Sequence, residues 1–362
     1  MYHREDPYNY HLKNDEEKAQ DYYNQALLKI DENPIYGYYV AYRFETHALI
    51  DLAAKAYERS MELRPEANYH IQLARIYGEQ GEIEKMFTSY VNFVEKNADK
   101  PFFLYLAHWG IHTPLQATRE DYEAVGDIKP HRLRVYAAMM RALDRSVGQI
   151  NDTLIEEGLA DNTIVVFSSD NGGAGYIGLP GVNQPFRGWK LTNFEGGLRV
   201  PMFVKWPKKV APGTRVSNPV AHIDLMPTLV AAADAKIPQD VELDGVDILP
   251  LATGDEGAAW DRKTLFWQSG YYRVVRHEDW KLQISDNPKK TWLFDLANDP
   301  TEQNNLATSE PEKLAELQAL LAEHKASARD PLYPFVAEMP VAVDKTLATK
   351  FVEGDEYIYW PN

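Results

Sequence analysis

The feature that most limits what this chain can fold into is a change of texture near residue 100. Residues 1–99 are rich in Tyr, Ala, Glu and Lys, with proline only at Pro7, Pro34 and Pro65. From Pro101 onwards, short apolar runs alternate with Gly and Pro. The first texture suits packed helices, and the second suits strands joined by turns. One chain must therefore build two unlike pieces, and 362 residues suffice for two or so domains with a sizeable core.

The first piece carries a faint internal repeat. YYNQALLKIDENP ends at Pro34, AAKAYERSMELRP at Pro65 and MFTSYVNFVEKNA at Ala98, at spacings of 31 and 33 residues. Each segment has Ala or Tyr eight residues before its end (Ala26, Tyr57, Tyr90) and an apolar residue four before it (Ile30, Met61, Val94). That spacing marks one face of a helix. Leu73, Ala74, Tyr77 and Gly81 stand at the offsets of a helix, a tight turn and a second helix. A period of roughly 34 residues made of helix pairs resembles tetratricopeptide repeats; an ordinary helical bundle is the alternative. Either way 1–99 is expected to be all-α, with no chemistry of its own and with a surface open to a protein partner.

The second piece reads as α/β. FFLYLA (102–107) suits a buried strand, and residues 132–159 have a helical period through Val135, Met139, Leu143, Val147, Ile150 and Leu154, with Gly158 placed to end it. TIVVFSS (163–169) and VPMFVKWP (200–207) read as strands, and HIDLMPTLVAAAD (222–234) as a short helix. Strand, helix, strand predicts a βαβ unit with parallel strands. Beyond about residue 264 the pattern becomes hairpins, followed by an amphipathic helix over 312–326. The expected plan is a helical segment over 1–99, a partial mixed sheet flanked by helices over 100–260, and a small α+β subdomain with its tail over 261–362. The tail from 327 on is expected to be irregular and to wrap the surface.

Composition narrows the function classes. A net charge of −16 repels nucleic-acid phosphates and anionic lipid, so neither is an expected partner. There is no cysteine, which removes disulfides, thiolate metal sites and cysteine nucleophiles. The first twenty residues contain no apolar run of the signal-peptide kind. No stretch approaches the roughly 18–20 apolar residues of a membrane helix. The compartment stays open.

The residues that carry chemistry begin with Ser169-Asp170-Asn171-Gly172-Gly173, directly after the strand TIVVFSS. A carboxylate and an amide carbonyl at the C-terminal end of a strand sit where open α/β sheets bind ligands. Both are hard oxygen donors of the kind Ca²⁺ or Mg²⁺ prefers. Alone, Asp-Asn-Gly is a turn sequence. Downstream stands NQPFRGWKLTNFEGGLRVP (183–201), upstream HTPLQA (112–117), and later HIDLMPTLVAAA. Together and in this order, these segments resemble the sulfatase family, of arylsulfatase type, within the alkaline-phosphatase-like superfamily. WKLQI, LFDLANDPTEQNNLA and EYIYW resemble that family's C-terminal subdomain. A phosphoesterase of the same superfamily is the neighbouring possibility, which the RGWK…EGG context argues against.

The resemblance implies a sulfuric ester hydrolase acting on a sulfated carbohydrate or aryl sulfate, in a family usually exported. It implies Asp170 and Asn171 as two ligands of a divalent cation, usually Ca²⁺. It implies Lys190 as the lysine that contacts the sulfate and His112 as the histidine near the ester oxygen. Glu195, Arg199 and Asp224 match the motifs and read as structural. It also implies a formylglycine nucleophile, made from Cys or Ser in C/S-x-P-S/A-R. No Cys occurs, Ser60 and Ser89 lie in other contexts, and no two aspartates adjoin upstream of residue 100. The expectation is therefore the C-terminal half of a sulfatase, without its formylglycine, with weak or lost Ca²⁺ binding and with an unpaired sheet edge. The alternative is a non-catalytic interaction module of helical repeats on a sulfatase remnant.

Overall fold

The computed structural model describes residues 16–64, 68–108, 110–254, 260–330, 332 and 338–361. Pro7, Asp15 and Pro65 lie outside the described residues. Two compact units divide the chain, Met1–Thr163 and Ile164–Asn362.

The first unit is helical. α1 (Glu16–Glu32), α2 (Gly37–Thr46), α3 (Ile50–Leu63), α4 (His70–Gln80) and α5 (Ile83–Lys96) follow in sequence, with α2 packed on α3 and α4 on α5. Ile30, Tyr57, Tyr90 and Val94 are buried, and Ala26 and Met61 pack against the same core. Gly81 ends α4 in the left-handed conformation (φ 75°), and the next amide, Glu82 N, bonds back to Tyr77 O at 2.8 Å. Gly37 is forced by proximity: a Cβ there would stand 2.2 Å from the Cβ of Ser60, whose hydroxyl donates to Pro34 O at 3.0 Å.

α6 (Arg119–Ala124) and α7 (His131–Glu156) complete the unit, and α7 packs on both α5 and α6. Charge fixes the junction. Thr118 caps α6 by accepting from Asp121 N (3.0 Å), and the buried Asp121 carboxylate takes Arg145 Nη1 at 2.7 Å and Arg141 beside it. Arg145 also reaches Glu84 of α5 at 3.0 Å. Arg145, with Thr118 and Arg141, outweighs burial and holds the Asp121 carboxyl down to about 2. Gly158 (φ 68°) follows the end of α7, where its sequence position predicted a stop.

The expected strand at 102–107 is corrected. The stretch runs without strand structure, and among the described residues its unit has no strand to pair with. Leu104 and Leu106 pack onto the helical core, whereas Phe103 and Tyr105 are 73% and 78% exposed. The side chains alternate as in a strand, but the ladder is missing.

The second unit is built on antiparallel pairs. β1 (Val165–Ser168) leads into the site loops and the short helix α8 (Glu195–Leu198), and then into β2 (Met202–Lys205). β1 and β2 pair antiparallel, Val165 with Lys205 through Ser168 with Met202. The expectation of parallel strands is thereby corrected, since every described ladder is antiparallel. A long loop, not a helical crossover, joins β1 to β2 and turns the chain back on itself. α9 (Leu225–Ala232) and α10 (Leu249–Thr253) follow. Near them Asp224 is fully buried, accepting from Ala221 N (2.7 Å), Val246 N (3.0 Å) and Arg262 Nη2 (2.7 Å).

β3 (Thr264–Ser269), β4 (Tyr272–His277), β5 (Trp280–Asp286) and β6 (Lys289–Asp295) form a meander in sequence order. Both faces are covered. Val275, Leu282 and Leu293 pack under Leu317 and Leu321 of α11 (Pro311–Ser327). Tyr272, Val274, Trp292 and Phe294 pack with Phe194, Val343 and Ile358. The tail is more regular than expected. β7 (Glu338–Ala342) and β8 (Tyr357–Pro361) pair antiparallel, and Val343 and Ile358 anchor them in the core.

The packing of His108 gives a testable pH dependence. Burial pushes its imidazole down to about 4, and the ring lies 5.1 Å from Phe87 with Nδ1 accepting from Gly110 N at 2.8 Å. The folded state thus resists a proton that the unfolded chain accepts below its ordinary value near 6.5. The stabilisation is complete above that value and is lost as pH falls towards 4. The urea midpoint of the helical signal should drop between pH 7 and pH 5, and His108→Gln should flatten that drop.

Candidate active site

The site loops are set by backbone contacts that only small residues allow. After β1, Ser169 Oγ donates to Asn171 O (2.8 Å) and Asn171 Nδ2 to Gly172 O (3.2 Å), so the amide spends its N–H and keeps its carbonyl oxygen for another partner. Gly172 N donates to Gly197 O at 3.0 Å. A Cβ on Gly172 would fall 1.8 Å from Gly196 O, and one on Gly197 would fall 2.1 Å from Thr192 O. No side chain fits at either place. Two stretches distant in sequence thus lie backbone against backbone.

Asn183 locks the other side. Its Oδ1 accepts from Gly173 N (2.7 Å), and its Nδ2 donates to Gly173 O (2.9 Å) and Gly188 O (3.0 Å). Lys190 N donates to the same Gly173 O at 3.1 Å. The turn bearing Asp170 and Asn171 and the loop bearing Lys190 are therefore joined directly. Lys190 is half-buried and Asp170 exposed. Leu191, the next residue, sits at φ 77°, a region that non-glycine residues seldom adopt. Strain of this kind persists only where the surroundings over-determine it. Here Trp189 is buried beneath Gly175, and Thr192 Oγ1 accepts from Trp189 N at 3.0 Å and donates to Trp189 O at 2.8 Å.

Under this loop lies a buried ionic cluster. Lys281 of β5 has no exposed surface, and its Nζ stands 2.8 Å from Glu195 Oε1 and 2.9 Å from Glu302 Oε1. Glu302 also accepts from Glu195 N (2.5 Å) and Gln283 Nε2 (3.1 Å). Burial would lift the Glu195 carboxyl, but Lys281, with Arg276 and Arg199, holds it below its ordinary value. Burial and the neighbouring Glu195 push Glu302 up. Two carboxylates share one ammonium, and Glu302 is the one nearer its proton. The cluster holds Glu195 at both its carboxylate and its amide. Arg199 lies exposed over the Phe186 ring, 4.8 Å from its centroid.

Of the four residues singled out from the sequence, Asp170, Asn171 and Lys190 stand together in the second unit. His112 belongs to the first, on an exposed turn, with Nδ1 donating to Thr113 O at 2.9 Å. That bond leaves Nε2 as the basic nitrogen of the neutral ring. Two oxygen donors fall far short of the roughly six to eight that Ca²⁺ takes. Among the described residues no group of three or more His, Cys, Asp or Glu is placed to hold a metal. The described residues alone do not fit a complete calcium site. Sequence reading missed Asn183 and Lys281. Alternation in WKLQI sets Lys281 and Gln283 on the face opposite Trp280, Leu282 and Ile284, which reads as a solvent face, so the sequence carried no signal for the burial of Lys281.

Comparison with known proteins decides the family. A sulfatase family model matches residues 7–235, and a model for the C-terminal part of N-sulphoglucosamine sulphohydrolase matches 188–330. The chain belongs to the sulfatase family. The match reaches back to residue 7, into the segment whose spacing resembles helical repeats. Arylsulfatase J of Mus musculus is 31% identical over 301 residues, covering 69% of this chain and 50% of that protein. The N-acetylgalactosamine-6-O-sulfatase of Bacteroides thetaiotaomicron is 29% identical over 262 residues, 65% of this chain and 49% of that one. The structure of Ps i-CgsB with k-i-k-neocarrahexaose aligns with a TM-score of 0.63 at 35% identity, over 69% of this chain and 56% of that one. This sulfatase chain spans about half the length of the curated relatives it matches.

The ionic cluster generates the prediction for this site. Lys281→Met leaves two buried carboxylates without a counterion and should cost about 3–5 kcal/mol of stability. Glu302→Gln keeps one ion pair but turns an amide N–H towards Lys281 or the Glu195 amide, and should cost about 1–2 kcal/mol. Urea unfolding of the two variants should rank them in that order; the reverse order would show that the cluster does not hold the loop.

Proposed function

We propose that the chain carries the sulfate-holding and leaving-group half of a sulfuric ester hydrolase. The observation that supports this reading is the direct backbone bond, Lys190 N to Gly173 O, between the Asp-Asn-Gly-Gly turn and the Lys190 loop. Lys190 offers its ammonium to the sulfuryl oxygens, where charge already resides and must be held as the ester bond breaks. His112, protonated at Nε2, supplies a proton to the leaving oxygen, on which charge accumulates. Asp170 and Asn171 offer two oxygen ligands to a divalent cation, a set too small for tight Ca²⁺ binding. A Ca²⁺ held there would add positive charge beside the sulfate.

The substrate class is a sulfated carbohydrate or an aryl sulfate. The curated names of two relatives, an arylsulfatase and an amino-sugar sulfatase, support it, as does the oligosaccharide bound to Ps i-CgsB. No formylglycine precursor motif occurs in this sequence. Binding of sulfate esters without turnover is therefore expected of the chain alone. A second reading, protein docking through the helical pairs, is favoured by a groove of about 480 Å³ lined by Leu27, Leu28, Asp31, Glu58 and Glu62 of α1 and α3. Lys55 and Arg59 also line it, and Arg59 pairs with Asp31 and Glu62, so the rim carries both signs.

The test uses 4-methylumbelliferyl sulfate with added Ca²⁺. Equilibrium binding should weaken about tenfold or more in Lys190→Ala, the loss of one charge-assisted contact. Release of the fluorophore should be no faster than for the variant. Turnover that disappears in Lys190→Ala would show that a nucleophile is present after all, and binding indifferent to Lys190 would remove the sulfate-site reading.

A further inference from the structure

We infer that Asp344 and Glu356, in the segment joining β7 to β8, are positioning residues for Lys190, acting through Arg187. The inference rests on Lys190 as the sulfate-contacting residue. Arg187 lies three positions before Lys190. Its guanidinium binds Asp344 with both arms of the fork, Nε to Oδ1 at 2.6 Å and Nη2 to Oδ2 at 2.7 Å. Nη2 also meets Glu356, Nη1 donates to Glu302 O at 3.2 Å, and the plane lies 5.0 Å from the centroid of the Phe194 ring. The side chain of Arg187 is only 12% exposed. A planar guanidinium with two carboxylates and an aromatic face has one orientation that satisfies all of them.

The same segment grips the other arm of the site. Leu347 N donates to Gly175 O at 3.2 Å, two residues beyond Gly173, whose carbonyl takes the Lys190 amide. Val343 and Ile358 are fully buried in the core that contains Phe194, and Trp292 Nε1 donates to Glu356 at 3.1 Å. Residues 343–358 therefore form a strap anchored in the meander. One contact of the strap falls on the Asp-Asn-Gly-Gly side and one on the Lys190 side. Motif matching does not find it, because its partners lie 157 and 169 positions from Arg187. A strap of this kind makes the angle between the two arms depend on the far end of the chain.

The test compares the full chain with the Asp344→Asn/Glu356→Gln double variant, and with Arg187→Lys, which keeps the charge and loses the fork. Backbone hydrogen exchange at 172–175 and 187–190 is read beside the thermal midpoint and 4-methylumbelliferyl sulfate binding. The expected result is exchange at both arms faster by about tenfold or more, with weaker ester binding and a similar thermal midpoint, in both variants. Loosening confined to 343–356, with the two arms exchanging as before, would overturn the inference. So would full recovery of site protection in Arg187→Lys, which would show that charge alone suffices. Coupled exchange in a chain that does not bind the ester would leave the strap intact and remove only the sulfate role of Lys190.

Discussion

A lysine with no exposed surface is a costly thing to fold, and much of the second unit follows from how that cost is met. Lys281 leaves water only because Glu195 and Glu302 come with it. Glu195 opens α8, and the amide of the same residue is bound by Glu302. The meander and the glycine loop are thereby tied at both side chain and main chain. Since Gly197 of that loop receives the Gly172 amide, the ionic cluster reaches the Asp170–Asn171 turn through only a few bonds. An apolar replacement of the triad could fold as well, but it would not dictate which residue of the loop faces the sheet. Three charges that must meet in one place allow one register.

The loop then uses that register to bring polar groups together without spending side chains on one another. Gly172, Gly196 and Gly197 let main chain meet main chain, and Asn183 bonds Gly173 N, Gly173 O and Gly188 O. Lys190 contributes its amide to this framework, and Leu191 bears the backbone strain. His112 rides on an exposed turn, with Nδ1 bonded to the carbonyl of Thr113.

Legibility in the sequence followed the range of the forces involved. The faces of α1, α3 and α5, the left-handed end of α4 at Gly81 and the stop at Gly158 depend on neighbours three or four residues away, and spacing alone located them. The hairpins of the meander and α11 were legible for the same reason. FFLYLA was not, because a strand exists only when another strand lies beside it, and composition cannot say whether one does. The antiparallel pairing of β1 with β2 was likewise hidden, since it depends on the course of a long loop. At the site, Asp170, Asn171 and Lys190 were legible through motif resemblance. The partners that fix them were not, because Lys281, Glu302, Asp344 and Glu356 are joined to the loop only in three dimensions.

The exposed aromatics and the short ladder have one physical origin. A two-stranded ribbon is marginal in water unless something else buries a face. β1 and β2 contribute four residues each, and Phe203 remains 65% exposed although Phe167 lies 6.3 Å away. Hydrophobic gain on that scale does not hold the ribbon. The loops between its strands do, through the bonds at Gly172, Gly173 and Lys190. Stability and loop geometry thus rest on the same contacts, so whatever loosens these loops also loosens the ribbon that carries Asp170.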